Sequence, residues 1–152
     1  MVCHFDKGTN AVIFLIIAMQ HAPIGLLDSG SGGLSIWKEI ITLMSGESTV
    51  YIGDHTYMPY SNKTTTFIRK RVIGIIRFLL QKNVKCIVVA CNTATVAGID
   101  VYRKKFPSVP IVGVVPVIKT AASVSKKRKI AVFSTRYTSQ SAYQKNLIDQ
   151  FA

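Results

Sequence analysis

The chain alternates short apolar runs with longer segments in which apolar residues recur every three or four positions. Short runs rich in β-branched residues predict strands, and the periodic segments predict amphipathic helices. Strands are predicted at five runs: 23–27, 49–53, 84–90, 110–115 and 129–133. Helices are predicted at five segments: 34–44, 67–82, one ending near 106, 117–124 and 139–151. This alternation is typical of an α/β protein with a doubly wound, mostly parallel sheet.

Two segments carry the clearest patterns. The segment that ends at Lys82 places five apolar residues on one face, and Asn83 is a suitable residue to end that helix. These five are Ile68, Val72, Ile75, Ile76 and Leu79. The run 84–90, "VKCIVVA", is continuously apolar, which predicts a central parallel strand covered on both faces.

Composition narrows the class of protein. With 152 residues, of which 49% are hydrophobic and 17% charged, the chain is long enough for a core and unlike a disordered protein. A net charge of +12 favours nucleic acid or an acidic membrane as partner. The basic residues are dispersed, however, with one tight run at 126–129, and no zinc-finger or RNA-binding signature accompanies them. We therefore predict neither a nucleic-acid nor a membrane partner.

Cysteine content and the N-terminal segment bear on localisation. Three cysteines without a CxxC pair indicate a reducing, cytoplasmic setting. The apolar stretch Ala11–Met19 has nine residues, less than half of the roughly 20 that a membrane-spanning helix needs. It resembles the hydrophobic region of a signal peptide, with Lys7 before it, but Asp6 is unusual there. The prediction is a cytoplasmic protein, with export as the minority alternative.

Polar side chains follow four of the five predicted strands. Ligands of open parallel sheets bind outside the carboxyl ends of the strands, so these side chains predict a site at one edge. The residues that follow the strands are Asp28 and Ser29; the loop 54–61 with Tyr60 and Ser61; Cys91, Asn92 and Thr93; and Ser134, Thr135 and Thr138. The glycine-rich loop "DSGSGG" lacks nucleotide-binding spacing and is either a plain turn or an anion-binding turn.

Cys91 is the strongest candidate for chemistry. It precedes a predicted helix, whose free amides and dipole are expected to lower the thiol pKa. The alternative is an inert buried thiol, as expected for Cys86 within the same strand. Asn92 and Thr93 can hydrogen-bond a small ligand beside the thiol, which favours chemistry. No histidine is placed as an evident partner, so proton transfer is favoured over hydrolysis by a Cys–His pair.

Five blocks in this order resemble the bacterial glutamate racemases of the aspartate/glutamate racemase family. They run from Pro23 to the chain end: "PIGLLDSGSGGLSIWKEI", "YIGDHTYMPYSNKT", "VVACNTAT", "KFPSVPIVGVVPVIKTAA" and "STRYTSQSAYQ". The resemblance implies racemisation of L-glutamate to D-glutamate for peptidoglycan by two cysteines on opposite sides of the substrate Cα, without a cofactor or metal. It also allows a homodimer of the complete protein.

Residue roles follow from the same resemblance. Cys91 matches the first proton-transferring thiol, and Asp28 is expected to assist it. The implied substrate-binding residues are Asp28, Ser29, Tyr60, Ser61, Asn92, Thr93, Thr135 and Thr138. Ser61 stands where the family usually has glycine, and Tyr137 replaces a small residue and is expected to crowd the pocket.

The resemblance also implies a domain organisation. Residues 1–22 are an extension of unknown role, 23–115 form most of a first α/β domain, and 116–152 begin a second. The family's second cysteine, in a GCTHYP-like block, has no counterpart here, which predicts an N-terminal fragment that does not racemise glutamate unaided. Two other functions stay open: an aspartate-type racemase, and a non-catalytic module that binds a small anion.

Overall fold

A parallel sheet of four strands forms the centre of the protein, which is described by a computed structural model at residues 21–115, 117–127 and 129–151. The strands lie in the order β2-β1-β3-β4, and every pair is parallel. Their bounds are β1 Ile24–Asp28, β2 Thr49–Gly53, β3 Cys86–Val89 and β4 Ile111–Gly113. The α/β class and the parallel sheet are as predicted. Residues 1–20 of the predicted extension 1–22 lie outside the described residues.

Helices connect and cover the strands. They are α1 Leu34–Leu43, α2 Thr65–Gln81, α3 Asn92–Lys105, α4 Ile118–Val124, α5 Arg136–Ser139 and α6 Ala142–Phe151. Short 3-10 turns at His55–Tyr57 and Tyr60–Asn62 lie between β2 and α2. Among the described residues, no helix is sufficiently long and apolar to cross a membrane.

Strand register decides which residues form the core. Leu27 pairs with Val89, and Gly25 pairs with Ile87, so these residues share one face of the sheet. That face packs against α2, because a Cβ on Gly25 would lie 3.1 Å from the Val84 side chain and 3.2 Å from that of Leu79. The main apolar cluster lies between this face and helices α2 and α3.

Helix α1 lies on the opposite face. Its Trp37 indole donates a hydrogen bond of 3.0 Å to the Thr49 hydroxyl of β2. None of the residues of α1 is fully buried, whereas α2 buries the five apolar residues that predicted its inner face. Helices therefore contact both faces of the sheet, as a doubly wound fold requires.

The ends of α2 follow from local chemistry. The Thr64 hydroxyl accepts a hydrogen bond from the Phe67 amide, which satisfies one free N–H of the first turn. Asn83 follows the helix with φ of 55°, the left-handed conformation that asparagine tolerates better than most residues. The predicted helix end at Asn83 is confirmed.

The predicted fifth strand at 129–133 is wrong. This segment has no regular secondary structure, and none of the described strands pairs with it. Two of its apolar side chains are exposed, Phe133 to 95% and Val132 to 39%. An apolar run rich in β-branched residues favours a buried strand, but the strand forms only where a neighbouring strand supplies the backbone hydrogen bonds.

Other boundaries differ by a few residues. The third and fourth strands are shorter than predicted, because ladder pairing stops before the apolar runs end. The predicted helix 139–151 corresponds to α6, which begins at Ala142, and the short helix α5 before it was not predicted. Ser141 separates them, and its hydroxyl accepts a hydrogen bond from the Gln144 amide, as at a helix start.

Candidate active site

A cavity of about 560 Å³ opens at the carboxyl ends of β1 and β3. One wall consists of polar side chains, and the other is apolar. Seven of the nine predicted site residues line it: Asp28, Ser29, Cys91, Asn92, Thr93, Thr135 and Thr138. The apolar wall is formed mainly by Val117, Ile118, Ala121 and residues 130–133. The strand prediction for 129–133 was wrong, but Thr135 and Thr138 still reach this edge from the start of α5.

Cys91 lies between β3 and α3 and caps the helix. Its sulfur accepts a hydrogen bond from the Ala94 amide at 3.4 Å and donates to the Ser29 hydroxyl at 3.5 Å. The residue is only 6% exposed, yet it belongs to the cavity lining. Ser29 follows β1, so its contact with the Cys91 sulfur joins the carboxyl ends of the neighbouring strands β1 and β3.

The expected lowering of the Cys91 pKa is wrong in this structure. Burial raises the pKa of the Cys91 thiol, and the negative charge of Asp28 raises it further. Hydrogen bonds from Ser29 and the Ala94 amide act in the opposite direction, as helix capping predicts, but do not outweigh burial. The thiol is therefore held mainly in its neutral form near neutral pH.

Asp28 shapes the glycine-rich loop. Its Oδ2 accepts hydrogen bonds from the amides of Gly30 at 3.1 Å and Gly33 at 3.0 Å. Gly33 has no space for a side chain, because an added Cβ would lie 2.8 Å from the Asp28 Cβ and 2.9 Å from the Ala90 Cβ. Together with burial, the Asp28 carboxylate raises the pKa of Tyr51 to about 12. Asp28 is thus a fixed, buried carboxylate near the thiol.

Three threonine hydroxyls form a chain along the polar wall. The Oγ1 atoms of Thr93 and Thr135 lie 3.4 Å apart, and the Thr135 hydroxyl donates to that of Thr138 at 3.1 Å. Thr135 also caps α5 by accepting from the Thr138 amide at 3.3 Å. These contacts connect the start of α3 to the start of α5.

Tyr60 and Ser61 do not line the cavity. Tyr60 is fully buried, and its hydroxyl donates to Asp54 Oδ2 at 2.7 Å. The Ser61 hydroxyl donates to the Asn62 side chain at 3.4 Å. Tyr137 does not crowd the cavity either, since its hydroxyl lies 2.7 Å from the Thr65 hydroxyl and it is not a lining residue.

Asp54 and Arg71 form an ion pair beside this site that was not predicted from the sequence. Arg71 Nε lies 2.7 Å from Asp54 Oδ2, and Arg71 Nη2 lies 2.8 Å from Oδ1. An aspartate directly after β2 was visible in the sequence, but its partner lies 17 positions later on a helix. Only the path of the intervening loop brings the two together.

The side chains of the lining determine how an anionic ligand would be held in the cavity. Of the described lining residues, Asp28 is the only Asp, Glu, Lys or Arg. A carboxylate in this cavity would depend on hydroxyl groups and on the first amides of α3, which lack intrahelical acceptors. In the described part of the chain, no three His, Cys, Asp or Glu side chains are grouped to hold a metal ion.

The sequence matches the family described as Asp/Glu/Hydantoin racemase over residues 24–151. The chain belongs to this family. A curated glutamate racemase of Clostridium botulinum is 42% identical over 132 residues, which are 87% of this chain and 51% of that protein. The chain thus spans about half the length of the curated relatives it matches.

Solved structures of glutamate racemases resemble this racemase-family chain. The Escherichia coli enzyme, in complex with L-glutamate and the activator UDP-MurNAc-Ala, superposes with a TM-score of 0.81 at 38% identity. That match covers 86% of this chain and 50% of the other. The Francisella tularensis enzyme, in complex with D-glutamate, has a TM-score of 0.73 at 30% identity, covering 86% and 48%.

The raised Cys91 pKa predicts a pH dependence for this racemase-family site. The rate of Cys91 alkylation by iodoacetamide should increase with pH through a midpoint above the ordinary cysteine pKa of about 8.5. In an Asp28→Asn variant the midpoint should fall, because a negative charge that disfavours the thiolate is removed while an acceptor oxygen remains. The labelling rate at pH 8 should therefore be higher in this variant than in the unaltered chain. A midpoint at or above that of the unaltered chain would contradict this prediction.

Proposed function

We propose that this chain supplies one half of a glutamate racemase, with Cys91 as one of its two proton-transferring groups. The observation that supports this most directly is the position of Cys91, at the polar wall of the cavity beside Ser29 and Asp28. The reaction needs a base at the substrate Cα, and a thiolate is suited to it because sulfur requires little solvation. Family membership and the L-glutamate and D-glutamate complexes of the relatives support the choice of substrate.

Each neighbouring residue has a proposed role. Asp28 assists proton movement at the thiol, and its negative charge opposes a persistent thiolate. Ser29, Asn92, Thr93, Thr135 and Thr138 bind the substrate through hydroxyl, amide and backbone groups. Tyr60 and Ser61 remain proposed contacts through the backbone, because their side chains point to other partners.

The proposed mechanism needs a second half. Thiolate formation at Cys91 and removal of the Cα proton leave a carbanion, which a second acid must protonate from the opposite face. By resemblance to the family, that acid is a cysteine in the region of the relatives that this chain does not match. We propose residues 23–115 as most of the first domain, 116–152 as the start of the second, and a cytoplasmic location for the assembled enzyme.

Ligand protection of Cys91 tests the substrate. Iodoacetamide labelling, followed by mass spectrometry of the separate cysteine peptides, gives rates for Cys91 and for Cys86 as an internal reference. Glutamate at about ten times its dissociation constant should slow labelling of Cys91 about tenfold and leave Cys86 unchanged. Stronger protection by aspartate would favour an aspartate-type racemase. Protection by phosphate but by neither amino acid would favour an anion-binding module.

A further inference from the structure

The Arg71 side chain of α2 contacts two points of the segment 54–62, which follows β2. Its guanidinium forms the two parallel hydrogen bonds to Asp54, and it also lies over the Tyr57 ring, 4.7 Å from the centroid. Paired bonds of this kind fix orientation as well as distance. The Asp54 residue is 4% exposed, so its carboxylate depends on these partners, whereas the Arg71 side chain is 42% exposed.

Asp54 transmits this contact to Tyr60. The same Oδ2 atom that accepts from Arg71 also accepts the Tyr60 hydroxyl at 2.7 Å. Tyr60 is fully buried, and its 3-10 turn packs against α3 and α5. Helix α3 begins at the Cys91 cap, and α5 carries Thr138, so the turn supports two helices that form the cavity wall.

The segment also supports the glycine-rich loop. The Asp54 amide donates to the Asp28 carbonyl at 2.9 Å. A Cβ on Gly53 would lie 2.6 Å from the Gly30 carbonyl oxygen, and the Met58 sulfur fills the space beside Gly30. Movement of the segment would therefore disturb both the Asp28 loop and the start of α3.

We propose that Arg71 is a positioning residue for the Cys91 site, acting through Asp54 and Tyr60. Neither Arg71 nor Asp54 lines the cavity, so both act on the site through the segment 54–62. The importance of this positioning for catalysis rests on the proposed racemase function. The effect of Arg71 on the labelling of Cys91 does not depend on that proposed function.

Labelling of Cys91 in the ligand-free chain tests the proposal. In Arg71→Gln, the segment should open more often, and iodoacetamide should modify Cys91 about tenfold faster. Cys86 lies at the opposite end of β3, and its rate should change less than twofold. Arg71→Lys keeps the charge but loses the paired geometry, so an intermediate rate is expected. Arg77→Gln, at an exposed arginine of the same helix, is the matched control and should match the unaltered chain.

A double-mutant cycle tests the route through Asp54. If Arg71 acts by way of Asp54, the Arg71→Gln/Asp54→Asn variant should label Cys91 no faster than the faster of the two single variants. If the double variant instead labels Cys91 faster by the product of the two single-variant accelerations, the proposal is overturned. An Arg71→Gln rate equal to that of Arg77→Gln would also overturn it. Equal acceleration at Cys86 and Cys91, in both Arg71→Gln and the milder Arg71→Lys, would show a purely structural role and also overturn it.

The two proposals fail in different ways. Absence of glutamate protection at Cys91 in the unaltered chain would count against the racemase function, whatever Arg71 does. Unchanged ligand-free labelling in Arg71→Gln would count against positioning, whatever glutamate does.

Discussion

Replacing Cys91 by alanine is expected to eliminate proton exchange at the Cα of glutamate. The measurement is deuterium incorporation from D₂O by this chain together with a separately supplied C-terminal half of the Escherichia coli relative, followed by chiral analysis. Removing a general base costs about 10²-fold to 10⁴-fold in rate, and the lost thiol has no substitute among the described cavity residues. Cys91→Ser should be similarly inactive, because a hydroxyl is a much weaker acid than a thiol.

Cys86→Ala is the matched control for that experiment. Cys86 is half-buried at the start of β3, away from the cavity. The Cys86→Ala chain, combined with the same C-terminal half, should therefore be as active as the unaltered chain combined with it. The chain alone should not racemise glutamate, since one thiol reaches one face of the substrate. Full racemisation by the chain alone would contradict the two-thiol mechanism. Retained exchange in Cys91→Ala would remove Cys91 from its proposed role.

Secondary structure was predictable where the spacing of apolar residues along the sequence matches the face that the element buries. The five apolar residues of α2 recur at helical spacing because that helix lies on the sheet, and all five are buried. The run "KIAVF" carries an equally clear pattern, yet residues 129–133 form no strand. Strand pairing requires a neighbouring strand that is distant in sequence, and the composition of the run does not show whether such a strand is present.

The candidate site was predictable in most of its members but not in its electrostatics. Cys91, Asn92 and Thr93 were identifiable because the carboxyl ends of parallel strands meet at one edge. The direction in which the Cys91 pKa is shifted was not predictable, because it depends on how deeply the thiol is buried. The Arg71–Asp54 pair likewise depends on the fold of the loop between them.

The second large effect is expected on stability, from Leu27→Ala. Leu27 is 0% exposed in β1, within the apolar cluster beneath α2 and α3. Truncating a fully buried leucine loses the transfer free energy of the removed atoms and leaves a cavity, which together cost about 2–5 kcal/mol. Urea unfolding followed by circular dichroism measures the change as a lower midpoint at an unchanged slope.

Leu43→Ala is the matched control, because it removes the same atoms at a position that is 80% exposed, at the end of α1. Alanine also favours helices slightly more than leucine, so the free energy of unfolding should change by less than about 0.5 kcal/mol. The two variants remove the same atoms and differ mainly in burial. Burial of Leu27 requires both that β1 is central and that α2 and α3 cover its face. Equal destabilisation by the two substitutions would therefore contradict the sheet order β2-β1-β3-β4 and the packing of α2 on it.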